Sequence, residues 1–209
     1  MTTAKADQRR EAGQRTRTRL MDAALDLLAQ RGEDGVTLRA LTSAAGANVA
    51  AVSYHFGSLQ SLCDAAVEQA LERYLDAQLE AVSAVEPGST LEEVAAAFAR
   101  PMISAMAVGG RDLDVMRIVA RVGIDPPPGW RRFDARFDRI RRDVIALIKP
   151  HVPGVKDQEL LFRTRCVAGL LNWLVLAPVG MEFRNQAENK IKRRLVPVLA
   201  GTFRGETSA

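Results

Sequence analysis

Residues 37–62 read TLRALTSAAGANVAAVSYHFGSLQSL, and the two glycines inside this run divide it into three helical pieces. Thr37 stands where a helix N-cap belongs, with Leu38, Leu41 and Ala45 spaced to share one face of a short helix. Gly46 ends that helix, because a residue without Cβ takes the left-handed backbone of a tight turn at no steric cost. Asn48 caps the next helix, which runs to about Phe56 and stops at Gly57. Ser58 then caps a third, much longer one. Helix, glycine turn, helix is the order of a helix-turn-helix.

The middle helix decides what the run can touch. An α-helix enters a DNA major groove when its outer side chains are short enough for close approach or polar enough to meet base edges. Ala50, Ala51 and Ser53 are short, while Asn48, Tyr54 and His55 carry hydrogen-bonding groups. Val52 and Phe56 are spaced to point inward and hold the helix on its module. A packed helical hairpin with a satisfied core histidine is the other reading of this pattern. The preceding residues 1–19 favour the first, with Lys5, Arg9, Arg10, Arg15, Arg17 and Arg19 against only Asp7 and Glu11. Such a basic arm neutralises phosphates or enters a minor groove. The Ser58 hydroxyl and the free amides of the helix it starts form a further anion site.

Working outward, every other segment also reads as helix. Leu20, Ala23, Ala24, Leu27 and Leu28 draw an apolar stripe from about Thr18 to Arg31, so three short helices are expected before residue 57. Leu59, Leu62, Ala66, Leu71, Leu75, Leu79 and Val82 keep helical spacing up to the break at Glu86-Pro87-Gly88. Thr90-Leu91-Glu92-Glu93 has the form of a capping box, opening a helix that crosses Pro101 and ends near Val108. Helices over 113–122 and 130–149 flank a proline-rich turn at 125–129. Asp157 can cap a helix that Pro178 stops, and a last basic helix covers about 182–203. The expectation is an all-α chain of about nine helices: an N-terminal helix-turn-helix module at 1–62, joined by the long helix to a helical domain at 63–209.

The chain has 209 residues, 47% of them hydrophobic and 26% charged, a composition that folds and stays in water. No apolar run follows the polar opening, so the protein is expected in the cytoplasm. The longest apolar stretch, 166–179, is shorter than a membrane span and contains Asn172, and no membrane partner is expected. Cys63 and Cys166 have no neighbouring cysteine or histidine ligands, so neither a disulfide nor a metal site is indicated.

At this point the residues reach a known family. Thr37 through Leu62, with the preceding helix from about Arg17, closely resembles the DNA-binding module of TetR-type bacterial transcriptional regulators. Ala45-Gly46, Tyr54-His55-Phe56 and Leu62 stand in register with the Thr37 cap. Asn48 followed by YHFGS is similar to the branch containing the PsrA-type fatty-acid-responsive repressors. The sequence departs from the family at Ser53, where a tyrosine is common, and at Leu59, where a lysine is common. The DNA-facing set is then Asn48, Val49, Ala51, Ser53, Tyr54 and His55, with Thr37, Arg39 and Ser58 on backbone phosphate. The resemblance implies a double-stranded DNA operator as partner.

The C-terminal part carries less signal. Phe98, Met102 and Met106 repeat at four-residue spacing, and Met116 and Ala120 give a facing surface. Buried apolar residues are by default plain core. Methionine also lines sites for flexible apolar ligands, and Trp130, Phe133, Phe137 and Ile140 could close such a cavity. The resemblance implies that some of these, with Trp173, line an effector pocket for a small apolar or amphipathic molecule, a fatty acid or acyl thioester by branch. Arg117 and Arg121 lie one turn apart and could hold an anionic head, or pair with Asp112 or Asp114. The helix carrying Leu161, Arg165, Ala168, Asn172 and Val175 is apolar nearly all round and needs cover on every side. With Leu195 and Leu199 of the last helix it is expected to form a homodimer interface.

No catalyst can be assembled from these residues, since His55 and His151 are isolated and no Gly-rich phosphate loop is present. No cofactor is expected. The reading is a ligand-responsive dimeric regulator, most simply a repressor, against the alternative of a helical ligand carrier or scaffold that never binds DNA.

Overall fold

In a computed structural model of the chain, which describes residues 2–127, 130–177, 183 and 186–205, nine α-helices follow one another and no strand occurs among these residues. They divide into two units, Met1–Leu71 and Glu72–Ala209. The division falls inside the long helix, after Leu71, and the first turns of that helix carry the buried Leu62 and Ala66.

The first unit holds α1 (Thr2–Arg31), α2 (Leu38–Ala45), α3 (Val49–Phe56) and the start of α4 (Leu59–Ser83). Leu20, Ala24, Leu41, Val52, Leu62 and Ala66 are its buried centre, the inward phase that the apolar spacing dictates. The Thr37 Oγ1 accepts the Ala40 amide at 3.2 Å, the Asn48 Oδ1 accepts the Ala51 amide at 2.8 Å, and the Ser58 Oγ accepts the Ser61 amide at 3.0 Å. Each cap satisfies a first-turn donor that has no partner within its own helix.

The first helix departs from expectation. It begins at Thr2 instead of near Thr18, so the basic arm is itself helical. Residues 4–15 are mostly alanine, glutamine, lysine, arginine and glutamate with no proline, all good helix formers. Glu11 and Arg15 add an ion pair one turn apart. An apolar stripe finds only the part of a helix that packs, and residues 7–12 are exposed.

The second unit contains the rest of α4 with α5 (Leu91–Val108), α6 (Gly110–Ile124), α7 (Asp134–Ile148), α8 (Asp157–Leu176) and α9 (Glu188–Arg204). The most closely packed pairs are α5 with α9 and α6 with α8. Between the first pair, Phe98 meets Phe203 edge-on at 6.1 Å between ring centroids. Between the second, a Cβ on Gly123 would come within 2.6 Å of the Asn172 Nδ2, so glycine permits the approach. α5 continues through Pro101, and one turn before it the Gln78 Nε2 of α4 donates to the Phe98 carbonyl at 3.0 Å.

Several boundaries shift. The helix expected over 130–149 is a 3-10 turn at Trp130–Phe133 followed by α7. Asp157 is the first residue of α8 rather than its cap, and its carboxylate takes the Lys149 ammonium at 2.7 Å. The last helix starts at Glu188 and contains Pro197. Pro128, Gly129, Pro178, Glu182 and the Trp130 side chain lie outside the described residues.

The capping box at Thr90 is complete: Glu93 N–H donates to the Thr90 Oγ1 at 3.2 Å and Thr90 N–H to the Glu93 Oε2 at 2.7 Å. Hydrogen bonds from the Thr90 backbone and then its side chain hold the Glu93 carboxyl below its ordinary range. A carboxyl depressed by folding stabilises above its unfolded pKa, and that contribution fades as pH falls through the folded value. Thr90→Ala is expected to lower unfolding stability by about 1 kcal/mol in chemical denaturation at pH 7, with a smaller difference from wild type under acid conditions that protonate Glu93.

Candidate nucleic-acid interface and ligand cleft

The two caps and the buried Val52 fix α3 on the first unit and leave its opposite side uncovered. Val49 is 51% exposed and Tyr54 84% exposed, and Ala50 and Ser53 are exposed beside them. Ala51 and His55, also expected to face DNA, are half-buried, as is Phe56 on the inner side. The outward surface is therefore Val49, Ala50, Ser53 and Tyr54, with Asn48 exposed at its start and Thr37, Arg39 and Ser58 exposed nearby.

The extended α1 braces this helix. A Cβ at Gly13 would lie 3.9 Å from the His55 Cε1, ordinary van der Waals contact. The Arg17 guanidinium sits 5.0 Å from the centroid of the Phe56 ring, and His55 meets Tyr54 edge-on at 4.9 Å. The Arg19 Nη1 donates to the Gly46 carbonyl at 3.3 Å, in the turn between α2 and α3. Arg17 and Arg19 thus have structural work to do, while Arg9, Arg10 and Arg15 are exposed on the helix.

In the second unit the expected pocket residues are mostly packed core. Phe98, Met102, Met106, Met116, Ala120, Phe133 and Ile140 are buried. Phe137 is half-buried with its ring 6.4 Å from that of Tyr74, whose phenol burial pushes up to about 12. Arg117 is held by Asp114 at 2.7 Å, the ion-pair reading of that arginine. An open cleft of about 270 Å³ lies elsewhere, between α4, α5 and α6. Ala77, Pro101, Ala105, Val115 and Met116 give it apolar surface, while Arg73, Glu80, Arg100, Ser104 and Asp112 give it polar groups, with Arg73 and Asp112 paired at 3.0 Å. Among the pocket candidates only Met116 lines it.

The interface set is also rearranged. Val175, Leu195 and Leu199 are buried within the chain itself, and the half-buried Asn172 lies with its amide beside Gly123 of α6. Leu161 and Ala168 are half-buried and Arg165 is exposed. The apolar residues left outside are Phe162 at 61% and Trp173 at 52% on α8, and Val198 at 54% on α9. Phe162, Cys166, Gly169 and Trp173 fall at helical spacing on one exposed stripe. Trp173, expected in the pocket, belongs to this stripe.

Two family profiles match this arrangement. Residues 20–66 match bacterial regulatory proteins of the tetR family, and residues 96–202, half of the chain, match the tetracyclin repressor-like C-terminal domain. The chain belongs to the TetR family. Solved structures agree in fold along almost the whole length. The regulator PfmR from Thermus thermophilus is 19% identical, with 91% of this chain and 97% of that one covered at a TM-score of 0.63. AibR, solved in complex with isovaleryl coenzyme A and operator DNA, is 17% identical over 92% of this chain and 100% of its own, at 0.67. The ketosteroid regulator KstR2 of Mycobacterium tuberculosis is 16% identical over 91% and 95%, at 0.61. No curated protein matches the chain.

Ala50, named from sequence among the short residues of the middle helix but left out of the DNA-facing set, stands exposed, as helical phase from the buried Val52 requires. Phe162 on α8 was not named from sequence, and its exposure follows only once the inward face of that helix is known. Among the described residues no group of three or more His, Cys, Asp or Glu gathers as a metal site, and no helix is long and apolar enough to cross a membrane. Burial, then the nearby Glu33 and Asp64 carboxylates, push the Cys63 thiol up to about 11. Its reactive thiolate is scarce at pH 8. In a Cys166→Ser variant, Cys63 is expected to resist thiol reagents at pH 8 while folded and to react on unfolding; labelling at the rate of a free thiol would contradict that environment.

Proposed function

We propose that the protein is a homodimeric transcriptional repressor that binds a palindromic operator through α3 and is released by a small amphipathic effector held in its second unit. The observation that carries this reading is α3 itself: capped, anchored by Val52, and bare along Val49, Ala50, Ser53 and Tyr54, beside a basic α1. Single-module contacts are short, so two modules on one palindrome, with recognition helices about 34–36 Å apart, supply affinity and register together.

The apolar stripe of α8 with Val198 of α9 supports a symmetric dimer, since Phe162 and Trp173 facing water are covered when two copies of the same stripe meet. The cleft between α4, α5 and α6 supports the effector. α4 begins at Leu59, immediately after the recognition helix, and reaches the cleft through Arg73, Ala77 and Glu80. A ligand that binds better when α4 is displaced shifts the population toward the released form by its differential affinity. An acyl thioester or fatty acid fits the amphipathic lining, and AibR, a structural neighbour, was solved with such a thioester.

Selection of a random duplex pool on the purified protein, followed by anisotropy titration at fixed salt, is expected to yield a palindrome bound far more tightly than a scrambled duplex, two chains per site. Tyr54→Ala and Arg39→Ala are each expected to weaken that binding by roughly tenfold. Absence of any enriched sequence would leave the ligand-carrier reading. Phe162→Glu combined with Trp173→Glu is expected to turn a dimer into a monomer in sedimentation velocity, and a monomeric wild type would remove the interface.

A further inference from the structure

Between Arg39 and Asp64 the chain contains no lysine, arginine, aspartate or glutamate, so the whole of α3 and both its flanks are uncharged. The side chains best suited to bidentate recognition of guanine or adenine are arginine, lysine, asparagine and glutamine. The only one on this surface is Asn48, whose Oδ1 is committed to the Ala51 amide at 2.8 Å. What α3 presents instead is the half-exposed isopropyl group of Val49, the methyl of Ala50, and the single hydroxyls of Ser53 and Tyr54. An exposed valine at the first turn of a helix, with an alanine next to it, is an apolar spot on an otherwise polar docking face.

In the major groove the apolar group offered by a base pair is the C5-methyl of thymine. We infer that α3 reads its operator chiefly by methyl contact: Val49 and Ala50 seat against thymine methyls, and the operator's half-site core is specified by thymine rather than by guanine. The inference rests on the regulator reading above and names what that regulator recognises. Charge supports it: residues 1–71 carry eight basic and eight acidic side chains, so phosphate attraction is modest and direct contact with bases must supply more of the discrimination. Ser53 and Tyr54, with one hydroxyl each, add hydrogen bonds that several bases can satisfy.

The test replaces each thymine of the selected operator in turn by deoxyuridine, which removes the C5-methyl and keeps the base pair. At one or two positions per half-site, affinity is expected to fall about fourfold for each methyl lost. Val49→Ala is expected to weaken the thymine operator by a similar factor and to abolish the penalty for deoxyuridine at the position Val49 covers. Replacing cytosine by 5-methylcytosine at a C·G-substituted version of that position is expected to recover part of the lost affinity. A palindrome bound equally well with and without its thymine methyls overturns the inference and leaves the regulator intact. A methyl penalty that is the same in wild type and Val49→Ala overturns the assignment to Val49. Failure to enrich any sequence removes the regulator reading itself, and the inference with it.

Discussion

The turn at Gly46 governs what the N-terminal unit can present. Its backbone is left-handed, at φ +56°, which ends α2 and sets the direction in which α3 departs. A side chain there would be strained by the backbone conformation alone, and its Cβ would also touch the Arg19 guanidinium at 3.5 Å. That guanidinium donates to the Gly46 carbonyl, so α1 grips the turn at the point where α3 is aimed. With the turn fixed, Val52 falls into the core, and Val49, Ala50, Ser53 and Tyr54 fall outside it. Exposure of those four side chains is thus a consequence of one turn and its clasp.

The second unit follows a different rule. Its helices pack tightly in pairs, α5 on α9 and α6 on α8, and the long side chains of α4 reach its neighbours through polar groups: Arg73 to Asp112 on α6, Asp76 to Arg136 on α7, and Gln78 to the Phe98 carbonyl on α5. Gln78 is buried and its Oε1 has no partner in the structure. Exposed ion pairs hold weakly, and a buried acceptor without a donor is a cost. α4 is therefore joined to its neighbours partly by exposed ion pairs that water can replace.

Much of this was legible in the chain. The caps at Thr37, Asn48, Ser58 and Thr90 follow from local chemistry: a short oxygen-bearing side chain and a free amide three residues on. The TetR-family module was legible for the same reason, since its turn residues and inward apolar positions are close together in sequence. The N-terminal extension of α1 was missed because an exposed helix has no apolar period to display. Methionines at helical spacing look alike in a core and in a cavity, and here Met102 and Met106 are buried while the open cleft is lined by Met116.

Sequence by itself determined the all-α class, the helix-turn-helix and the caps, because each depends on residues within about one turn of one another. Only the tertiary structure decided which face of each helix was spoken for. It turned Val175, Leu195 and Leu199 inward and left Phe162, Trp173 and Val198 outside; it half-buried Ala51 and His55 against their module and bared Val49 and Ala50; and it opened the cleft beside Arg73 and Glu80. On a helix that is apolar on several sides, the sequence supplies the candidates, but burial is fixed by neighbours from distant parts of the chain.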